Sequence, residues 1–261
     1  MRKRGRFLAA HPWCCFCGGN APATTIDHVP ARTCFPDRVG PENFEFPACA
    51  YCQAATRLDE LAFGFYVKLG DPSDENFREG ELAKALSGLK NNLPNLLPEL
   101  NLTPRDKRNS LRLMGMEKPA HILAADLPLA GVPKDVHPHL LRYAHKIACA
   151  IYYREQRRIA SRDHYVWATW TQGTNRNGIG ALEGFISMTP LIVRGTRRNV
   201  GLGDRFGYRC NKADDPDALT AVAQFGSGLV LAMLVVSPDC KKKLRDDGGW
   251  VKVAEMLVPP D

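Results

Sequence analysis

Two Cys-x-x-Cys pairs, Cys14–Cys17 and Cys49–Cys52, constrain the first third of this chain more than any other feature. Four thiolates in two pairs close a tetrahedral zinc site. A segment of roughly 50 residues buries too little apolar surface to hold itself firmly. A structural zinc contributes about 10–16 kcal/mol of apparent binding free energy to such a fold. Thirty-one residues separate Cys17 from Cys49, so the cysteines clamp the base of an insert rather than a short ribbon. The start, Met1 to Arg6, has the basic end of an export signal, but the apolar run that must follow stops at His11-Pro12. Export is therefore rejected, the thiols are expected to be reduced in the cytoplasm, and paired spacing reads as metal ligation. Cys15, Cys34, Cys149, Cys210 and Cys240 lack such partners and read as core residues.

The insert carries Asp27-His28 and, further on, Asn43. These residue types suit phosphodiester hydrolysis. That reaction needs a deprotonated water and a cation to stabilise charge on the phosphate. A neutral imidazole is a suitable base near pH 7. Adjacent residues of an extended strand face opposite ways, so Asp27 is expected to point at a metal and His28 at the water. Asn43, on the facing strand, is expected to hold His28 in place. The cleaving ion need not be the cysteine-bound one, because a closed four-thiolate zinc has no open position.

The predicted class is α+β. Residues 1–13 form a basic lead and residues 14–70 a ββα zinc module. Residues 71–137 form a proline-punctuated helical connector, and residues 138–261 an α+β domain with a mainly antiparallel sheet. In the module, Thr24 to Ile26 and Phe44 to Phe46 favour strands. Ala50 to Leu69 reads as helix, with Ala54, Leu58, Leu61, Phe65 and Leu69 on one face. The connector has helical spacing from Phe77 to Leu93 and from Thr103 to Met116, where Thr103 is the N-cap and Pro104 takes the first helical position. Leu140, Leu141, Ala144, Ile147, Ala148 and Ile151 mark the clearest helix, over 138–160. Strands are expected at Tyr165–Trp170, Phe185–Val193, Arg205–Cys210 and Leu229–Val236. No apolar run reaches about 18 residues, which argues against a membrane span.

The net charge is +7, and by count about +6 of it falls in residues 141–261. Arg154, Arg157, Arg158 and Arg162 form one basic stretch, and Arg194, Arg197 and Arg198 another. A basic surface attracts polyanions, nucleic acid first. Arg32, Arg197 and Arg198 are the candidate substrate-binding residues. Gly178-Ile179-Gly180 and Gly201-Leu202-Gly203 lack the full spacing of a phosphate loop. His145 lies beside the apolar helical face and reads as structural.

The run Cys14 to Gly18, Asp27-His28-Val29-Pro30, Pro47 to Cys52 and Asp59-Glu60 resembles the HNH (ββα-metal) endonucleases of the four-cysteine kind, as found in bacterial and phage proteins. The resemblance covers about residues 14–66; Lys146-Ile147-Ala148 and Phe206-Gly207-Tyr208 are weaker similarities. It implies His28 as general base, Asp27 as ligand of a catalytic Mg²⁺ or Mn²⁺, and Asn43 as orienting residue. Family members usually carry His or Asn directly after the last cysteine; here Gln53 stands there, a weaker ligand than a carboxylate. Glu60, seven residues on and two helical turns along the same face, is the second candidate ligand, with Asp59 beside it. The implied function is a metal-dependent endonuclease acting on DNA, in phage defence or phage-encoded. The alternatives are a non-catalytic zinc module that binds nucleic acid or protein, and an RNA-cleaving toxin. A protein partner or a homo-oligomer stays open.

Overall fold

The computed structural model describes residues 3–71, 78–196, 202, 205–215, 217–245 and 248–257. Helix α1 (Lys3–Ala10) leads into the first cysteine turn. Strands β1 (Thr25–His28) and β2 (Glu45–Ala48) pair antiparallel, with Asp27 opposite Phe46 and His28 opposite Glu45. Helix α2 (Ala50–Ala55) starts at the second cysteine pair and gives way at Thr56 to α3 (Arg57–Gly70). The connector holds α4 (Ala83–Asn92) and α5 (Pro104–Leu113). Phe77, the expected start of the first connector helix, lies outside the described residues. Thr103 caps α5 as expected: its hydroxyl accepts from Asp106 N, and the Asp106 carboxylate reaches back to Thr103 N.

The long helix α6 (Val136–Gln156) ends where Arg157 turns left-handed. After it come β3 (Tyr165–Gln172), α7 (Arg176–Ala181), α8 (Glu183–Ser187), β4 (Leu191–Arg194), β5 (Gly207–Asp214), β6 (Asp217–Phe225), β7 (Leu229–Val236), α9 (Pro238–Lys241) and β8 (Val251–Lys252). The strands form one sheet in the order β4-β5-β6-β7-β3-β8, every neighbour antiparallel. The chain is thus α+β with a mainly antiparallel sheet. The strand expected from Phe185 to Val193 is corrected: its first half is α8, and only Leu191–Arg194 is strand. Strand β6 was not anticipated.

The sheet is covered on both faces. Leu219, Ala221, Ala223, Leu231, Met233 and Val235 face α6, which lies between the sheet and the cysteine module. Val222, Val230 and Ala232 point the other way, under Leu182, Ile179 and Phe185 of the α7–α8 segment. This two-sided burial explains why β7 is apolar at every position. Buried residues of the cysteine module, α3, α6 and the sheet belong to one continuous core. No helix among the described residues is long and apolar enough to cross a membrane.

Candidate metal centre and reaction site

Cys14 and Cys17 lie on a tight turn closed by Gly19 N to Cys14 O (3.1 Å) and Asn20 N to Cys17 O (3.3 Å). Gly18 and Gly19 take φ of +66° and +76°, a region open to glycine. A side chain at Gly18 would also strike the backbone of Arg162, 2.6 Å from the ideal Cβ. Cys49 is the N-cap of α2, its sulfur accepting from Cys52 N at 3.4 Å, just as Cys14 Sγ accepts from Phe16 N at 3.4 Å. Thiolates are favoured at a helix N-terminus. The four sulfurs lie within 4.8 Å of one another. Zinc–sulfur bonds of about 2.3 Å put tetrahedral sulfurs about 3.8 Å apart, so a zinc fits with little movement. Hydrogen bonds between the thiols lower Cys17 and raise Cys14 and Cys52. One thiolate forms readily in such a cluster; four need a cation. Among the described residues this is the one group of three or more ligating side chains close enough to share an ion.

Strand β1 runs from this clamp into the insert, and its last two residues diverge. Asp27 turns inward and is buried. Its Oδ1 accepts from His28 N at 2.9 Å. Its Oδ2 meets the Lys146 ammonium of α6 at 2.7 Å, as an ion pair rather than an aligned hydrogen bond. Lys146 is itself fully buried, and its Nζ also donates to Thr56 Oγ1 (2.6 Å) and Glu60 Oε1 (2.8 Å). Thr56 Oγ1 donates in turn to Glu60 Oε1 at 2.9 Å. Burial pushes the Glu60 carboxyl up, against the pull of Lys146. Burial disfavours the ammonium, yet Glu60 and Asp27 hold Lys146 above its ordinary value.

Asp27, Gln53 and Glu60 are the residues expected to hold a divalent cation. Asp27 and Glu60 do converge, but on an ammonium. Gln53 is half-buried on α2; its N donates to Cys49 O at 3.2 Å, and among the described residues its side chain makes no hydrogen bond. Asp59 turns away from this cluster. It is fully buried, accepting from Arg142 Nε and Nη2 at 2.7 Å each and pairing with His139 Nδ1 at 2.6 Å. It is therefore a structural anchor.

His28 turns outward, with 30% of its side chain exposed. Arg32 Nη2 donates to His28 Nε2 at 2.7 Å. A guanidinium only donates, so in this contact Nε2 is the acceptor. Glu45 Oε1 lies 3.6 Å from the same Nε2. Here the place given to Asn43 is corrected. Asn43 is an exposed turn residue at φ +61°, before β2 begins, and its carbonyl accepts from Arg154 Nη1 at 2.7 Å. Glu45 is the residue opposite His28.

The basic stretch of residues 154–162 is largely engaged in packing. Arg154 lies over the Phe44 ring at 4.3 Å, Arg158 pairs with Asp217 at 2.8 Å, and Arg162 donates to Asn20 Oδ1 at 2.6 Å. Arg197 and Arg198 lie outside the described residues. His145 is buried, and its Nε2 meets no hydrogen-bond partner among the described residues. Trp167 stacks on Phe185 at 5.4 Å, and Trp170 donates to His137 Nδ1 at 3.0 Å.

Sequence reasoning missed Lys146, Thr56, Glu45, Arg142 and His139 as site residues. One signal was present: Lys146 stands among Tyr143, Ala144, Ile147, Ala148 and Ala150, and a charge in such a stretch must find a partner. No family model, curated protein or solved structure matches this chain.

Proposed function

We propose that this chain hydrolyses phosphodiester bonds in nucleic acid, with DNA the first substrate to test, and that His28 is the general base. The observation that carries the reading is the outward-turned His28 imidazole, 30% exposed, with the Arg32 guanidinium 2.7 Å from its Nε2. A base and a phosphate-binding group share one spot at the end of a zinc-braced strand. Arg32 leaves His28 for a phosphate oxygen when substrate arrives, because a charged acceptor outcompetes a neutral one. Nε2 then takes a proton from the attacking water. Glu45 stabilises the imidazolium that forms. Arg32 supplies positive charge at the phosphate.

The four cysteines fit a structural zinc, which would brace β1 and α2. A catalytic Mg²⁺ or Mn²⁺ is a different matter. The carboxylates that would hold it already surround Lys146, so no step is assigned to such an ion.

The test is cleavage of plasmid DNA and of an RNA panel by wild-type and His28→Ala protein, with Mg²⁺, Mn²⁺ or EDTA. Cleavage is expected to fall at least about 100-fold in His28→Ala, the range for loss of a general base. Undiminished cleavage by a contaminant-free His28→Ala protein would sink the proposal. The cancellation of Asp27 by Lys146 favours one second reading, a non-catalytic zinc module that binds nucleic acid. Salt-dependent binding without cleavage under any ion would move the weight there.

A further inference from the structure

Two carboxylates converging at the edge of the core need positive charge, and the identity of that charge can be read from geometry. A Mg²⁺ ion asks for six oxygens at about 2.0–2.1 Å. An ammonium has three N–H donors and takes three acceptors at ordinary hydrogen-bond distance. Lys146 Nζ has three oxygens around it: Thr56 Oγ1 at 2.6 Å, Asp27 Oδ2 at 2.7 Å and Glu60 Oε1 at 2.8 Å. Two of these oxygens accept a hydrogen bond from it, and Asp27 adds a full opposite charge. The fourth side is closed by the Phe16 ring, whose centroid lies 5.1 Å away.

Nor has the ammonium an easy retreat. Its neighbours along α6, Tyr143, Ala144, Ile147 and Ala150, are all buried. Tyr143 also fixes the insert, its hydroxyl oxygen accepting from Ala31 N at 2.5 Å. Seating a divalent ion between Asp27 and Glu60 would place it beside a positive charge, or else leave an unpaired ammonium in the core. Both are costly.

We propose that Lys146 is the resident cation of the Asp27–Thr56–Glu60 site, that the folded wild-type chain binds no divalent ion there, and that removing the Lys146 charge converts the same three oxygens into a divalent-cation site. This holds whether or not His28 turns over a phosphodiester, so its test and the cleavage test fail independently.

The experiment titrates Mn²⁺ into zinc-loaded full-length protein and follows free Mn²⁺ by electron paramagnetic resonance. Wild type is expected to show no binding that Glu60→Gln alters. Lys146→Ala, checked for zinc content and circular dichroism, is expected to gain one Mn²⁺ per chain, at least tenfold tighter than any wild-type binding. The Lys146→Ala/Glu60→Gln double variant is expected to lose it. One Mn²⁺ bound by wild type and lost in Glu60→Gln would overturn the proposal. So would a folded Lys146→Ala protein that binds no more than wild type. Should Lys146→Ala fail to fold, the comparison of wild type with Glu60→Gln still decides whether a divalent ion sits at this pair.

Discussion

Cutting the contact between Asp59 and α6 should loosen the whole chain. Asp59 is fully buried, receives both Arg142 nitrogens at 2.7 Å, and pairs with His139 at 2.6 Å. Removing one member of a buried pair leaves the other uncompensated and costs about 3–5 kcal/mol. In Asp59→Ala the stranded guanidinium is 19% exposed and gains some water, which places the cost near the lower end, about 3 kcal/mol. In Arg142→Ala the stranded group is the carboxylate, 1% exposed with His139 left to it, so the cost is expected nearer about 4 kcal/mol. The double variant strands neither, and should fall short of the sum by about 2 kcal/mol. For a chain of this size about 1 kcal/mol moves Tm by roughly 2–4 °C, so each single variant should melt about 6–16 °C lower. The assay is urea and thermal unfolding of zinc-loaded, reduced protein, followed by far-ultraviolet circular dichroism and tryptophan fluorescence. A loss below about 1 kcal/mol in Asp59→Ala, or strict additivity in the double variant, would refute the view that this pair ties α3 to α6.

Two further outcomes follow from the same core. Metal analysis should find one zinc per chain in wild type and none in Cys49→Ser or Cys52→Ser; because one core joins the cysteines to the sheet, those variants should lose circular dichroism from the sheet as well. Acid should weaken the fold through His145, where burial pushes the imidazole down to about 4. The unfolded chain takes that proton first, so this group leaves stability untouched above its ordinary value near 6.5 and subtracts progressively from about pH 6.5 down to about pH 4, up to roughly 3 kcal/mol. His145→Leu should flatten that part of the stability–pH curve; an unchanged slope would show that His145 does not titrate with folding.

The parts that were legible in the sequence are those governed by local spacing. The cysteine pairs come together because each sits on its own turn or helix start. The period of Leu140, Ala144, Ile147 and Ile151 gives α6 directly. What escaped depends on partners far along the chain. Nothing near Asp27 announces that Lys146, more than 100 residues later, neutralises it. Asn43 and Glu45 are two residues apart, and which faces His28 depends on where the long insert lets β2 begin. Strand β6 mixes alanines with larger residues, a weak signal alone, and is strand because β5 and β7 pair on both its sides. Phe185 and Ile186 have strand-favouring side chains, but packing against Trp167 and Leu182 on the far face of the sheet suits a short helix.

The embedded position of the cysteine module bears on how such a chain can be inherited. Its cysteine turn leans on Arg162, its strand ends in a carboxylate answered by Lys146, and its insert is fixed by Tyr143. A fragment stopping before α6 would carry every motif residue from Cys14 to Glu60 and still leave Asp27 and Glu60 facing each other with no counter-charge. The motif is therefore not a portable cassette. Any gene fusion that transplants it must carry the long helix too, or evolve a new cation for the strand that bears His28.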